Sequence, residues 1–332
     1  MYSCYEEGKN RENCMKHSPV LLIAFLRLDA TISIIEKLQS FGVDKVYIAV
    51  DRGRNEDEIR LQEEFFIKVE KLSKCSISKL IIWKRDKNLG LATSVVTAVD
   101  WFFENETQGI IIEDDLEFNE DFLVFCSEAL KRFLRANNVW MISGSNFFHE
   151  KNTMSTLAIT YPMIWGWATS REKWQLMRSS YREPSVLEFI KRPNSRNGFF
   201  WSGSKRANQG IVNTWDLPIA FKMQRNSKLC ILPPVNLVSN VGVDSKSSHT
   251  LNDVFPLNHR VGKLEISDVV WSIPSFREIN RVNKFYEQKV FMVRKRHILS
   301  PVKLVIERVL ASHNQSNHLL RSVEIVEQKW RR

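Results

Sequence analysis

The stretch Ile110-Ile111-Ile112-Glu113-Asp114-Asp115 decides how the rest of the chain is read. Three consecutive β-branched residues form a short buried strand, and three carboxylates follow without a spacer. Carboxylates held side by side at the carboxyl end of a strand repel one another and are costly to desolvate. A divalent cation relieves both problems, and oxygen ligands suit Mg2+ or Mn2+. A solvated acidic turn capping the next helix is the plainer reading of the same six residues, so their surroundings decide between the two.

Working outward, the segments before this strand alternate between strand and helix. Pro19 to Phe25 is an unbroken apolar run, as a central buried strand requires, and Arg27 lies just past its end. Asp29 is placed to cap a helix from Ala30 to Phe41, closed by Gly42. A second strand, Lys45 to Val50, stops at Asp51, and a charged amphipathic helix then runs to about Lys74. The third strand, Lys79 to Trp83, leads into Arg85-Asp86-Lys87-Asn88-Leu89-Gly90 and a helix from Leu91 to Phe103. This alternation predicts an open α/β sheet, whose ligands bind at the carboxyl ends of the strands. Arg27, Asp51, Arg85, Asn88 and Glu113 to Asp115 all fall there. Each alone could be a capping or solvated residue; their common location makes them a candidate site.

Beyond the acidic triplet, Glu120 to Arg135 reads as a helix and Val139 to Ile142 as a strand. Trp165-Gly166-Trp167-Ala168 places two indoles around a glycine, a pattern open to sugar stacking or to core packing. A helix is expected from Arg171 to about Ser179. Arg192 to Gly210, rich in Gly, Ser, Asn and Arg, has the composition of a mobile loop or lid. Thr214-Trp215-Asp216 opens a helix through Met223, with Asp216 either a cap or a functional carboxylate. Leu229 to Leu232 and Val235 to Val238 return to extended structure, and His249 sits in the polar run Ser247 to Thr250.

Composition narrows the function. The 332 residues are 43% hydrophobic and 26% charged, enough for a large core. No stretch approaches the roughly 18–20 apolar residues of a membrane span. The first 17 residues are polar and carry acidic side chains, unlike a secretory signal. Five scattered cysteines form no C-x-x-C pair, which fits a reducing, cytoplasmic setting without structural zinc. The net charge of +10 is concentrated: Arg281 to Arg332 hold 12 basic and 4 acidic residues, leaving the body nearly neutral. That asymmetry argues against a nucleic-acid-binding body. Clustered Lys and Arg beside Val302, Val305, Ile306, Val309 and Leu310 fit either peripheral docking on the inner face of an anionic membrane or a helical appendage packed on the protein or on a second subunit.

Taken together, the chain resembles the nucleotide-diphospho-sugar glycosyltransferases of GT-A fold, of bacterial polysaccharide type and distantly similar to the N-acetylglucosaminyltransferase I family. The likeness runs from about Val20 to Thr250. It rests on Ile110 to Asp115, N-L-G-L-A at Asn88, W-G-W-A at Trp165, T-W-D at Thr214 and P-P-V-N-L-V-S-N at Pro233. The resemblance implies a GT-A, Rossmann-like open mixed sheet flanked by helices. A polar lead-in (1–18) would precede a catalytic domain (19–260, its halves meeting near 145) and a basic helical extension (261–332). It implies that Asp115 binds the metal on the donor diphosphate, while Glu113 and Asp114 contact the ribose or metal-bound water. Arg27 and Asp51 would hold the nucleotide base, with Arg85 and Asn88 lining the same donor site. Asp216 would be the catalytic base of an inverting enzyme, and His249 would reach the diphosphate or metal. One departure stands out: T-W-D is followed by Leu-Pro and not by a second acidic residue. The implied donor is a nucleotide sugar, UDP-linked by the same likeness, and the implied acceptor a saccharide or lipid-linked saccharide of surface polysaccharide assembly.

The chemistry agrees with the residue types. A leaving nucleoside diphosphate needs its charge neutralised, and an attacking hydroxyl needs one carboxylate standing apart from the metal. Metal-dependent phosphoryl transfer needs further carboxylates converging on the triplet, and the sequence offers no clear set. A basic binding protein that keeps the fold without activity is the remaining alternative. Neither G-x-x-x-x-G-K-[ST] nor G-x-G-x-x-G occurs, so phosphate-loop and dinucleotide readings have no support.

Overall fold

The structure, a computed structural model, describes residues 17–74, 78–133, 135–148, 153–242 and 259–299. His249 with its polar run, the first 16 residues and the chain from residue 300 onward lie outside the described residues, so the expectations placed on them are not addressed below.

The first half follows the apolar runs closely. Strand β1 (Val20–Ala24) is followed by helix α1 (Leu28–Ser40), β2 (Lys45–Val50), α2 (Glu56–Lys74), β3 (Lys79–Lys84), α3 (Leu91–Asn105) and β4 (Gln108–Glu113). These four strands pair in parallel in the order β3-β2-β1-β4, so the carboxyl ends of all four open on one edge. After the acidic triplet come β5 (Leu116–Phe118), α4 (Glu120–Phe133), β6 (Val139–Ser143), β7 (Leu157–Ile159) and β8 (Trp167–Ser170). Helices α5 (Arg171–Arg178), α6 (Val186–Ile190), α7 (Ser195–Asn208) and α8 (Asp216–Arg225) precede β9 (Leu229–Leu232), β10 (Val238–Asn240) and α9 (Phe276–Lys289). The central sheet has eight strands in the order β3-β2-β1-β4-β8-β6-β9-β7. Strand β8 runs antiparallel between β4 and β6, and β7 antiparallel to β9 at the edge. The result is a mostly parallel, Rossmann-like mixed sheet of the GT-A kind. A separate ribbon pairs β10 antiparallel with β5, which lays Asn240 opposite Leu116, the residue after the triplet.

Burial of both sheet faces explains the near-continuous apolar strands. Val20, Leu22 and Ala24 point into one core with Ile35, Leu38, Phe65 and Phe122, beneath α1, α2 and α4. Leu21 and Ile23 point into the other with Val99, Phe102, Trp174 and Phe221, beneath α3, α5 and α8. Gly109 shows how tightly α3 lies on the sheet: a Cβ there would stand 2.3 Å from Phe102 Cζ and 2.7 Å from the carbonyl of Pro19. Residues 259–299 add to both cores. Trp271 stacks on Phe125 at 5.4 Å, and Val282 and Tyr286 of α9 are fully buried beside β7.

Two local expectations are corrected. Asp29 does not cap α1; it lies in the first turn, fully exposed, 3.7 Å from Lys68, and Arg27 occupies the cap position. Arg192 to Gly210 is not a loop or lid. Most of it is α7, whose Asn197, Phe200, Trp201 and Ser204 recur at helical spacing and are buried, with Asn194 capping the first turn through Asn197 N. Its composition is that of a loop, but its periodicity is that of a helix. Among the described residues, no helix is long and apolar enough to cross a membrane.

Because Phe122 is completely buried against the sheet, Phe122→Ala is expected to lower the unfolding free energy by about 3–5 kcal/mol. Ile67→Ser, on the exposed face of α2, should stay within about 0.5 kcal/mol. Urea denaturation followed by circular dichroism compares the two.

Candidate active site

At the end of β4 the three carboxylates part according to strand alternation and loop geometry. The backbone N–H of Asp114 still bonds to Ile23 O (3.1 Å), continuing the ladder with β1. Its side chain turns toward the end of β1, where Oδ2 accepts from Phe25 N at 2.9 Å and Oδ1 from Arg27 Nη1 at 3.4 Å. The same guanidinium lies 4.0 Å from Asp115 Oδ2 and donates to Gly242 O at 3.0 Å. Asp115 Oδ2 also accepts from Asn240 Nδ2 at 3.2 Å, while its carbonyl accepts from Val241 N. Gly242 is required by this closeness: a Cβ there would meet Asp115 Oδ2 at 2.7 Å and Arg27 Nη2 at 2.9 Å. Arg27 thus ties the triplet to the end of β1 and offsets part of its charge.

Electrostatically the triplet is under strain. Burial, then the charges of Asp115, Asp114 and Asp216, push the Glu113 carboxyl well above the ordinary carboxylate range, with Arg27 opposing. Burial also raises Asp114 and Asp115, although Phe25 N and Arg27 offset this at Asp114, and Arg27 and Asn240 at Asp115.

Asp51 occupies the matching place at the end of β2. Its carboxylate accepts from Leu89 N (3.0 and 3.1 Å) and Gly90 N (3.1 Å), pinning the loop that enters α3. Burial raises its pKa against these hydrogen bonds and the Arg85 charge. Arg85, itself buried, lies 3.9 Å over the Trp83 ring and donates to Ser94 O, and burial lowers its pKa. Asn88 donates to Arg52 O at 2.6 Å. Arg85 therefore ties this loop to α3 from the buried side, and the exposed Asn88 ties it to the turn after β2.

The second half supplies Asp216, the first residue of α8. Its position is fixed from both sides. Thr214 Oγ1 donates to Asp216 Oδ1, and Tyr181 OH donates to Trp215 O at 2.7 Å. Trp215 stacks on the buried Trp167 with ring centroids 5.7 Å apart. One residue earlier in the lead-in, Asn213 Oδ1 accepts from Ala92 N at 3.2 Å, tying it to the first turn of α3. Trp167 is therefore a core residue, and Trp165 is half-buried against Phe147.

Sequence reasoning passed over Gln62, Asn213, Tyr181 and Gly242. Gln62 is buried and bridges three backbone groups: Nε2 donates to Phe25 O (3.1 Å) and Asp51 O (2.7 Å), and Oε1 accepts from Gly53 N (2.8 Å). It joins the ends of β1 and β2. Its signal was an amide at the stripe position of α2 that Phe65 and Val69 otherwise fill.

Like-charged oxygens crowded at one strand end suit a hard divalent cation. Among the described residues, no three His, Cys, Asp or Glu side chains form a complete metal cluster. One or two carboxylates completed by phosphate oxygens and water are an ordinary arrangement for such an ion.

No protein family matches the chain, and no curated protein matches it in sequence. Among solved structures it is similar to GalNAc-T7 with UDP, GalNAc and Mn2+, at 7% identity and a TM-score of 0.42, over 68% of this chain and 44% of that one. It is also similar to HddC from Yersinia pseudotuberculosis, at 11% identity and a TM-score of 0.30, over 47% of this chain and 77% of that one. The 4-diphosphocytidyl-2C-methyl-D-erythritol synthase from Anaerococcus prevotii matches at 10% identity and a TM-score of 0.30, over 53% of this chain and 83% of that one. These likenesses are too slight to assign a site or an activity.

Two outcomes follow from the geometry. Gln62→Leu strands three backbone groups and is expected to cost about 3 kcal/mol of stability, measured by urea denaturation. Because the Glu113 pKa is raised in the folded state, the unfolded chain releases its proton first, so stability falls as pH rises from the ordinary carboxylate range to the raised value. Glu113→Gln is expected to flatten that decline and to raise the thermal midpoint at neutral pH. An unchanged pH profile in this variant would contradict the assignment.

Proposed function

We propose that this protein is an inverting, metal-dependent glycosyltransferase that moves a sugar from a nucleoside-diphosphate sugar to an acceptor hydroxyl. The observation that carries the reading is the convergence of Asp216 with the β4 triplet. Asp216 opens α8, outside the sheet, yet its charge helps raise the Glu113 carboxyl, and Asn213 just ahead of it accepts from Ala92 N at the entrance to α3. Two kinds of carboxylate are thus brought together: a crowded set at the strand end, and one held apart at the start of a helix.

Roles follow from position. Asp115, aided by Glu113, is the proposed ligand for Mn2+ or Mg2+ on the donor diphosphate. The ion supplies charge neutralisation for the leaving nucleoside diphosphate. Asp114 is engaged with Phe25 N and Arg27, so its part is to hold the end of β1 against the triplet. Asp51 and the loop it pins form the proposed donor-nucleotide wall. Asp216, oriented by Thr214, accepts the proton of the acceptor hydroxyl as that oxygen bonds to the anomeric carbon. The bond from that carbon to the diphosphate oxygen breaks on the opposite face, which inverts the centre. The proposed donor is UDP-linked and the proposed acceptor a saccharide or lipid-linked saccharide.

Thermal denaturation with UDP, other nucleoside diphosphates and nucleotide sugars, each with and without Mn2+, tests this directly. A nucleotide-induced rise that requires Mn2+ and vanishes in Asp115→Ala is expected. Asp216→Asn should keep that rise and lose turnover by about 10²-fold or more. Turnover at the wild-type level in Asp216→Asn, or a rise indifferent to Mn2+ and to Asp115, would sink the mechanism.

A further inference from the structure

A cavity of about 240 Å3 opens in the second half of the chain among α6, α7, α8 and the segment that follows α5, away from the triplet. Its walls include Ser180, Arg182, Glu188, Ser204, Lys222 and Arg225. Three cations face one carboxylate there, so the lining carries a net charge of +2. The carboxylate is already committed. Glu188 Oε1 accepts from Arg182 Nη2 at 3.0 Å and from Arg225 Nη1, and Oε2 accepts from Ser185 N at 2.9 Å in the cap of α6. Glu188 therefore fixes the two guanidinium groups in place and leaves them with unused donors.

The remaining wall is also built from donors. Lys222 donates to the hydroxyl of Ser179, a neutral partner, and burial together with the Arg182 charge lowers its pKa while Glu188 opposes. Ser180 is only 7% exposed, and its hydroxyl has no hydrogen-bond partner among the described residues. A buried hydroxyl left unpaired costs free energy, and a bound acceptor would remove that cost. Fixed guanidinium groups, one ammonium and hydroxyl donors around a space with two uncompensated positive charges match a dianion with several acceptor oxygens.

We propose that this cavity binds a phosphoryl group. Its place in the fold ties it to the acceptor, and that part of the inference rests on the transferase reading. Lys222 stands six residues beyond Asp216 on α8, roughly 9 Å along the helix axis. Tyr181, which fixes the start of α8, belongs to the same short segment as Ser180 and Arg182. A phosphoryl group seated here would anchor an acceptor whose hydroxyl lies at Asp216. It comes either from a soluble sugar phosphate or from the headgroup of a lipid. Leu187 and Ile190 of α6 are 69% and 57% exposed, beside Glu188, and offer apolar surface to the second source.

The full-length protein, free of nucleotide and Mn2+, is titrated with inorganic phosphate by isothermal calorimetry. Saturable binding is expected, weakened about tenfold or more by Lys222→Gln and by Arg182→Gln and unchanged by Asp115→Ala and Asp216→Asn. Ser180→Ala, a smaller change, should weaken it without lowering the thermal midpoint, because it removes an unpaired buried hydroxyl. In a second arm, co-sedimentation with phosphatidic acid vesicles but not phosphatidylcholine vesicles, lost in both Lys222→Gln and Leu187→Ser, assigns the group to a lipid. Phosphate binding without vesicle binding assigns it to a soluble sugar phosphate. Absence of saturable phosphate binding, or equal binding by wild type, Lys222→Gln and Ser180→Ala, overturns the proposal. Because nucleotide and Mn2+ are left out, failure here is separate from failure of the donor-site assignment.

Discussion

Mutual repulsion among carboxylates at the end of β4 is the constraint on which the site depends. Three acidic side chains in succession, with a fourth arriving from α8, would drive the strand end apart in an apolar setting. The structure answers with one guanidinium and a set of backbone donors. Arg27 reaches Asp114, Asp115 and the carbonyl of Gly242, so a single side chain links β1, the triplet and the strand that returns through β10. Phe25 N adds a fixed dipole. The compensation is partial, as the raised Glu113 carboxyl shows. Charge left over at a strand end is what a cation site requires.

The sheet makes this arrangement possible by being buried on both faces. A strand with two covered faces has no freedom to shift register, because a one-residue slip would exchange its two cores. Ile23 pairs with Glu113, and Ala24 with Val50, so the loops after β1, β2 and β4 begin at nearly the same level. Arg27, Asp51 and the triplet meet because the apolar runs before them end in register.

That is also why they were legible. The length of an apolar run fixes where a strand stops, and the next polar residue stands at its carboxyl end. Strands β1 to β4 and helices α1 to α3 follow from this to within two residues. What connects the site sideways was not legible. Gln62, Asn213 and Tyr181 act through backbone groups distant in sequence, and nothing in their own neighbourhoods marks those partners. In α7 the reading went wrong because Gly, Ser, Asn and Arg outweighed a helical stripe of Asn197, Phe200, Trp201 and Ser204. Trp167 was open to either use, and its packing on Trp174 and Trp215 settles it as core.

The entrance to α3 carries a consequence of a different kind. Its backbone donors are divided: Leu89 and Gly90 give theirs to Asp51, while Ala92 gives its own to Asn213, just ahead of Asp216. The entrance to one helix is thus held in common by Asp51 of the first half of the chain and Asn213 of the second. The halves are not interchangeable cassettes. A second half borrowed from another protein would leave the amide of Ala92 without its partner and loosen the loop fastened to Asp51. On the proposed transferase reading, a change of acceptor is then a matter of altering side chains within α5 to α8 and not of exchanging the half as a block.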